Sequence, residues 1–162
     1  MMAMGVHCVD LLRFLLIQEV VEVAAITDGQ SLENPLERLA TMCLRFNGGV
    51  LGIVCCGMRI SDSKNDATLY GSHGRITLGD SLRTMLQGSL EIVSDTVHTT
   101  VSYPQGTLSL YKLQVEAFSH AIQHDEEPIA SGQDSLRAVQ ITEAMIELAA
   151  RGRTVKLELL SV

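Results

Sequence analysis

The chain has 162 residues, with 12 Lys+Arg against 19 Asp+Glu and a formal charge of -7. That length suits one domain, expected over residues 1–162, and 46% hydrophobic against 19% charged residues is too apolar for a disordered chain and ample for a core. The acidic balance argues against nucleic acid or an anionic membrane surface as partner, since either needs a basic face, and the absence of Trp removes the best stacking group for single strands.

The start, Met1-Met2-Ala3-Met4, lacks the basic region of a secretory signal, and the first apolar stretch is broken by His7, Asp10 and Arg13. No run approaches the roughly 18 apolar residues of a membrane span. Cys8, Cys43, Cys55 and Cys56 have no C-x-x-C spacing, so reduced, buried thiols in a cytoplasmic protein are expected. Neighbouring Cys55 and Cys56 on a strand would point to opposite faces and form no metal pair.

The first predicted element is a helix over residues 5–16. Val9, Leu12 and Leu16 recur on one side, and His7, Asp10 and Phe14 share another. A strand is predicted over 19–27, ending at Asp28-Gly29. Two more, 39–46 and 50–58, flank Asn47-Gly48-Gly49, a hairpin signal because Asn and Gly tolerate positive φ. Short strands are then predicted over 67–70, 75–78, 84–87, 90–93 and 97–103, separated by turn residues; such close spacing implies antiparallel pairing.

Past Pro104-Gln105-Gly106 the period becomes helical. Tyr111, Val115, Phe118 and Ile122 form one stripe, and the helix dissolves at His124-Asp125-Glu126-Glu127-Pro128. Ser131-Gly132-Gln133-Asp134 reads as a capping box opening a second helix, whose buried face is predicted to be Ala138, Ile141, Met145 and Leu148. Residues 154–159 alternate as a closing strand. The predicted fold class is α+β: a large, mostly antiparallel open sheet with helices on one face, the other face free for self-association into a dimer or tetramer.

Among chemical groups, His7 with Asp10 is the most suggestive pair: an imidazole moves protons near neutral pH, and a carboxylate one turn away can hold its tautomer or bind a substrate hydroxyl. A helix-start carboxylate beside a semi-exposed ring is the plainer alternative. His120 and His124, at i and i+4, could clamp a metal, but the acidic stretch after them reads as a solvated helix end, so no metal site is expected. His73 and His98 have no partner at a defined spacing, and Arg59, Arg75 and Arg83 read as surface charges. No two glycines stand at i and i+2, so G-x-G-x-x-G is absent and no cofactor-binding residue is assigned.

The ordered series GVHCVDLLRFLL, EVVEVAAITD, LATMCLRFNGGVLGIVCC, TLYGSHGRITLGD and YKLQVEAFSHAI, closing with EEPIASGQDSLRAVQITEAMIELAARGRTVKL, resembles over essentially the whole chain the C-terminal domain of the glucose–fructose oxidoreductase / inositol dehydrogenase (Gfo/Idh/MocA) family. The resemblance implies a half-open antiparallel sheet with the substrate pocket on its helix side and a subunit interface on its outer side. It also implies hydride transfer, dependent on NAD or NADP, at hydroxyls of sugars, cyclitols or similar polyols. In that family a separate N-terminal Rossmann domain supplies the dinucleotide loop and an E-K-P lysine, and the C-terminal domain supplies a D-x-G-x-H-x-x-D segment.

Carried over residue by residue, Met4-Gly5-Val6-His7 fits that segment. His7 falls on the catalytic histidine, and Asp10 on the acidic residue that contacts substrate or the histidine. The aspartate four residues before the histidine falls on Ala3. With the Rossmann half also lacking, the resemblance implies a substrate-binding and dimerisation domain that binds neither NAD nor NADP by itself and is inactive alone, whether through a boundary of a longer protein or through natural loss. Ala3 favours an alternative, a non-catalytic stand-alone binding or oligomerisation module. A third reading makes His7 and Asp10 ordinary helix-start residues of an unrelated domain. Tyr111 and the stretch around Arg83 lie near family substrate contacts without a match that assigns a role, and Gly71 and Gly74 fall on turn glycines.

Overall fold

In the computed structural model, which describes residues 2–28, 37–58, 60–82, 86–104, 106, 109–151 and 155–156, the elements follow in the order α1 (Met2–Leu16), β1 (Val20–Thr27), β2 (Leu39–Phe46), β3 (Leu51–Gly57), β4 (Ala67–Gly71), β5 (Gly74–Gly79), β6 (Gly88–Ser94), β7 (His98–Tyr103), α2 (Leu110–His124), α3 (Gly132–Arg151) and β8 (Val155–Lys156). The fold is α+β and every paired strand runs antiparallel. The strands bond as two sheets, β3-β2-β1-β8 and β4-β5-β6-β7, where the sequence suggested one large sheet. The sheets fall in two compact units, one of residues 1–61 with 130–162, the other of residues 62–129.

In the first unit, alternation builds the core. Along β2, Ala40, Met42, Leu44 and Phe46 are buried while Leu39, Thr41, Cys43 and Arg45 are exposed, because successive side chains leave opposite faces of the pleat. On β1 the buried Val20 and Val23 lie three apart, an odd spacing explained by a register shift between Val20 and Glu22 that inserts one residue into the ladder. Val9 of α1 and Ile141, Met145 and Leu148 of α3 close over this face. Burying side chains of this size contributes about 1.5–3 kcal/mol each.

The β2–β3 connection is a three-residue hairpin. Gly49 N donates to Phe46 O at 2.9 Å, and Gly49 alone takes a left-handed φ of +86°. Asn47 and Gly48 stay in the ordinary region, so the Asn-Gly signal found the turn but not its type. The capping box is formed: Ser131 Oγ donates to Asp134 Oδ2 at 2.7 Å, and Asp134 N donates back to Ser131 Oγ at 3.2 Å.

In the second unit, the four-stranded meander has an apolar face. The rows Ala67–Leu78–Leu90–Val101 and Leu69–Ile76–Ile92–Thr99 stand side by side across it. Gly74 holds φ +144° with Val93 O where a Cβ would stand, so glycine is required there, whereas Gly71 keeps an ordinary φ and was not demanded by backbone angle. Of the strand predicted over 84–87, residues 84 and 85 lie outside the described residues, and 86 and 87 are not strand. The α2 stripe of Tyr111, Val115, Phe118 and Ile122 is exposed at 57–66% rather than buried.

Candidate functional site

The helix α1 presents two different faces because its sequence does. Val9 is fully buried, with Cys8, Leu12 and Leu16 packed against the core, whereas Met4, His7 and Phe14 are exposed. Asp10 stands one turn on from His7, half open to solvent. No hydrogen bond joins the His7 ring to Asp10 among the described residues. The Asp10 carboxylate instead accepts from Arg13 Nη1 at 3.1 Å.

Arg13 is the centre of the region. Its side chain is 7% exposed, and its guanidinium also donates to Glu19 Oε1 at 2.6 Å, to Glu19 Oε2 at 3.1 Å and to Asp134 Oδ1 at 3.2 Å. Arg137 of α3, equally buried, donates to Glu19 Oε2 at 3.2 Å and to the Val20 carbonyl at 2.7 Å. Two arginines and three carboxylates thus tie α1, β1 and the start of α3 together. Paired donors and acceptors are what allow charges to be buried at tolerable cost.

The electrostatics follow from these contacts. Burial works to raise the Glu19 carboxyl, but hydrogen bonds and charge from Arg13 and then Arg137 outweigh it and hold it below the usual carboxylate value. Asp134 is lowered first by its Ser131 hydrogen bonds and then by Arg13. The Arg13 guanidinium is raised, chiefly by its bond to Glu19. The same Arg13 guanidinium holds the Asp10 carboxyl group from behind through Nη1.

Sequence reasoning missed Arg13 and Arg137. Their spacing signalled them: Arg13 follows Val9 by four, and Arg137 precedes Ile141 by four, which places a charge on the buried side of each helix.

The remaining candidates scatter. His73 lies exposed in the β4–β5 turn, beside a depression of about 390 Å³ also lined by Tyr70 and Arg75. Arg75 Nη2 donates to Glu91 Oε2 at 2.7 Å, and His98 Nε2 lies 3.4 Å from the other Glu91 oxygen, so His98 has a cross-strand partner that spacing did not reveal. The Arg75 hydrogen bond holds Glu91 below its usual range. Arg59 and Arg83 lie outside the described residues. All four cysteines are free; Cys56 is buried as expected, Cys8 is only half-buried, and Cys43 and Cys55 are exposed. Burial pushes the Cys8 and Cys56 thiols up, which keeps them protonated.

Among the described residues the chain is thus an antiparallel α+β domain that carries an exposed histidine with a carboxylate one turn on. The chain belongs to the oxidoreductase family, C-terminal alpha/beta domain (Gfo/Idh/MocA), whose family model matches residues 1–157. Among solved structures it is similar to the aldose-aldose oxidoreductase from Caulobacter crescentus complexed with glycerol, at 21% identity and TM-score 0.81, over 94% of this chain and 46% of that one. It is also similar to an oxidoreductase from Agrobacterium radiobacter in complex with NAD+, L-tartaric acid and magnesium, at 22% identity and TM-score 0.79, over 94% and 47%. A 3-ketoreductase from Actinomadura kijaniata, in complex with TDP-benzene and NADP, matches at 19% identity and TM-score 0.72, over 88% and 43%. The chain therefore spans less than half the length of these three neighbours.

Proposed function

We propose that this chain is the substrate-binding and subunit-association domain of an NAD(P)-dependent oxidoreductase acting on a hydroxyl of a sugar, cyclitol or similar polyol. The observation that carries the reading is the exposure of His7 on the face of α1 turned from the core, one turn from a carboxylate fixed by buried Arg13. The glycerol and L-tartaric acid complexes of its structural neighbours support a small, hydroxyl-rich substrate.

Oxidising a carbinol removes a hydride from carbon and a proton from oxygen. The His7 imidazole is suited to take that proton near neutral pH. Asp10, an acceptor only when ionised, receives a hydrogen bond from a substrate hydroxyl on the oxygen that Arg13 leaves open. The dinucleotide does not fit the residues of this chain: its 13 glycines include no pair at i and i+2. The antiparallel ladders likewise offer no strand–helix–parallel-strand unit among the described residues. No step through the coenzyme is assigned to these residues.

Self-association into a dimer or tetramer is assigned to the outer face of the first sheet, where Ile26, Leu51 and Ile53 are 77%, 68% and 76% exposed. No helix among the described residues is long and apolar enough to cross a membrane. The four free thiols support a cytoplasmic location.

The test is a titration of the purified chain with glycerol, inositol and glucose, following histidine ring signals by NMR. A saturable shift at His7 that Asp10→Asn abolishes supports the reading; no shift with any polyol overturns it. Micromolar NAD(P)H binding by the chain alone would overturn the assignment of the coenzyme site elsewhere. Ala3, standing where the family pattern has an aspartate, favours a second reading as a non-catalytic binding or oligomerisation module. An upstream reading frame continuous with this one, encoding a glycine-rich Rossmann segment and E-K-P, decides for the enzyme.

A further inference from the structure

The last turn of α2 holds a pair of groups unrelated to the α1 face. His120 and His124 stand one turn apart with their rings stacked, centroids 3.9 Å apart and planes inclined by 18°. His124 Nδ1 lies 2.8 Å from the backbone carbonyl of His120. A carbonyl oxygen only accepts, so Nδ1 carries the proton, and in the neutral ring the lone pair is on Nε2. His120 Nδ1 lies 3.5 Å from Glu126 Oε2, a charge contact that leaves the His120 Nε2, facing away from the carboxylate, free to ligate.

The His124 ring therefore carries its proton on the inner nitrogen and keeps the Nε2 lone pair free. This is the arrangement of metal-ligating histidines, whose other N–H is held by a carbonyl or carboxylate that fixes the tautomer. Two further features favour a cation here. The site lies at a helix C-terminus, the negative end of the dipole, and Asp125, Glu126 and Glu127 follow directly. Both rings are exposed, so a hydrated ion reaches them without rearrangement of a core.

We propose that His120 and His124 form a binding site for a single borderline-soft divalent cation, of the Zn2+, Ni2+ or Cu2+ type, held through their two Nε2 atoms with water completing its shell. Imidazole nitrogen selects these ions over Ca2+ and Mg2+, which prefer oxygen. No group of three or more His, Cys, Asp or Glu is placed to hold a metal among the described residues, so the site is an open two-ligand one rather than a closed structural centre. Nitrogen–metal distances near 2.0–2.1 Å bring the two Nε2 atoms to about 3.3 Å apart in a tetrahedral shell, so the two exposed rings must turn out of their stack for their lone pairs to converge on one ion. The bound ion then staples the last turn of α2.

The experiment is calorimetric titration of the Cys43→Ser/Cys55→Ser chain, in which the exposed thiols cannot compete, with Zn2+, Ni2+ and Mg2+ separately. One ion per chain is expected for Zn2+ and Ni2+ and none for Mg2+, with affinity falling at least tenfold in His120→Ala and in His124→Ala and unchanged in His73→Ala. Both substituted positions are exposed, and circular dichroism checks that each variant folds. In NMR, Ni2+ broadens the His120 and His124 ring signals first. Undiminished affinity in His124→Ala, or the absence of saturable binding of either transition ion, overturns the proposal. Neither result bears on the His7 reading.

Discussion

Arg13 Nη2 donates to Glu19 Oε1 across 2.6 Å, joining the end of α1 to the start of β1, and Arg137 reaches the second Glu19 oxygen from α3. Truncating Arg13 leaves Asp10, Glu19 and Asp134 with one guanidinium fewer. The Glu19 side chain is 36% exposed, so solvent screens part of the loss. Arg13→Met is expected to destabilise the fold by about 2 kcal/mol, a fall in Tm of about 5 °C, and to weaken any polyol response at His7 by freeing Asp10. Thermal melts and the NMR titration check the two effects separately.

Acid sensitivity follows from Glu19 and Asp134, both held below their ordinary values. A carboxyl depressed in the folded state contributes stability that is complete above its unfolded value and is lost as pH falls through its folded value. Stability is therefore expected to decline from about pH 4.5 downward. Glu19→Gln should flatten that decline while lowering stability at pH 7. Urea unfolding across pH 3–7 tests it, and an identical pH slope in the variant would show that Glu19 is not the group responsible.

Thiol chemistry should divide the cysteines by face. Cys43 and Cys55 lie exposed on the outer side of the first sheet, whereas Cys8 and Cys56 are covered and held protonated by burial. Maleimide labelling of the native chain is expected to modify Cys43 and Cys55 within minutes and the other two only on unfolding. If that sheet face associates as proposed, labelling of Cys43 slows as protein concentration rises.

Ile17 ends α1 with φ +52° and is 91% exposed. A β-branched residue is strained in the left-handed region, and this one recovers almost nothing by packing. Ile17→Gly is expected to stabilise the chain, and Ile17→Asn to do so less, by about 1 kcal/mol or under. Equilibrium denaturation reads the gain; a loss of stability in both variants would mean that the Ile17 side chain contributes more than its exposure indicates.

Much of the fold is legible in local pattern. The β2 limits, the Ser131–Asp134 capping box and the buried face of α3, Ala138, Ile141, Met145 and Leu148, stand as periodicity placed them. Each depends on residues within one or two turns, where spacing and geometry are the same statement. The misses depend on distant partners. The α2 stripe has helical period without burial, the strands divide into two ladders, and Cys43 and Cys55 face outward, because period reports which residues share a side but not what covers it.

The same division holds at the site. The family, the α+β class and the one-turn spacing of His7 and Asp10 are legible in the amino-acid order, since these follow from ordered motifs and a 3.6-residue period. It took the folded chain to establish that Asp10 is fixed by Arg13, and that Arg13 shares Glu19 with an arginine 118 positions beyond that glutamate. Charge pairing acts through space at about 3 Å, and a distance of that kind exists only after the chain has folded.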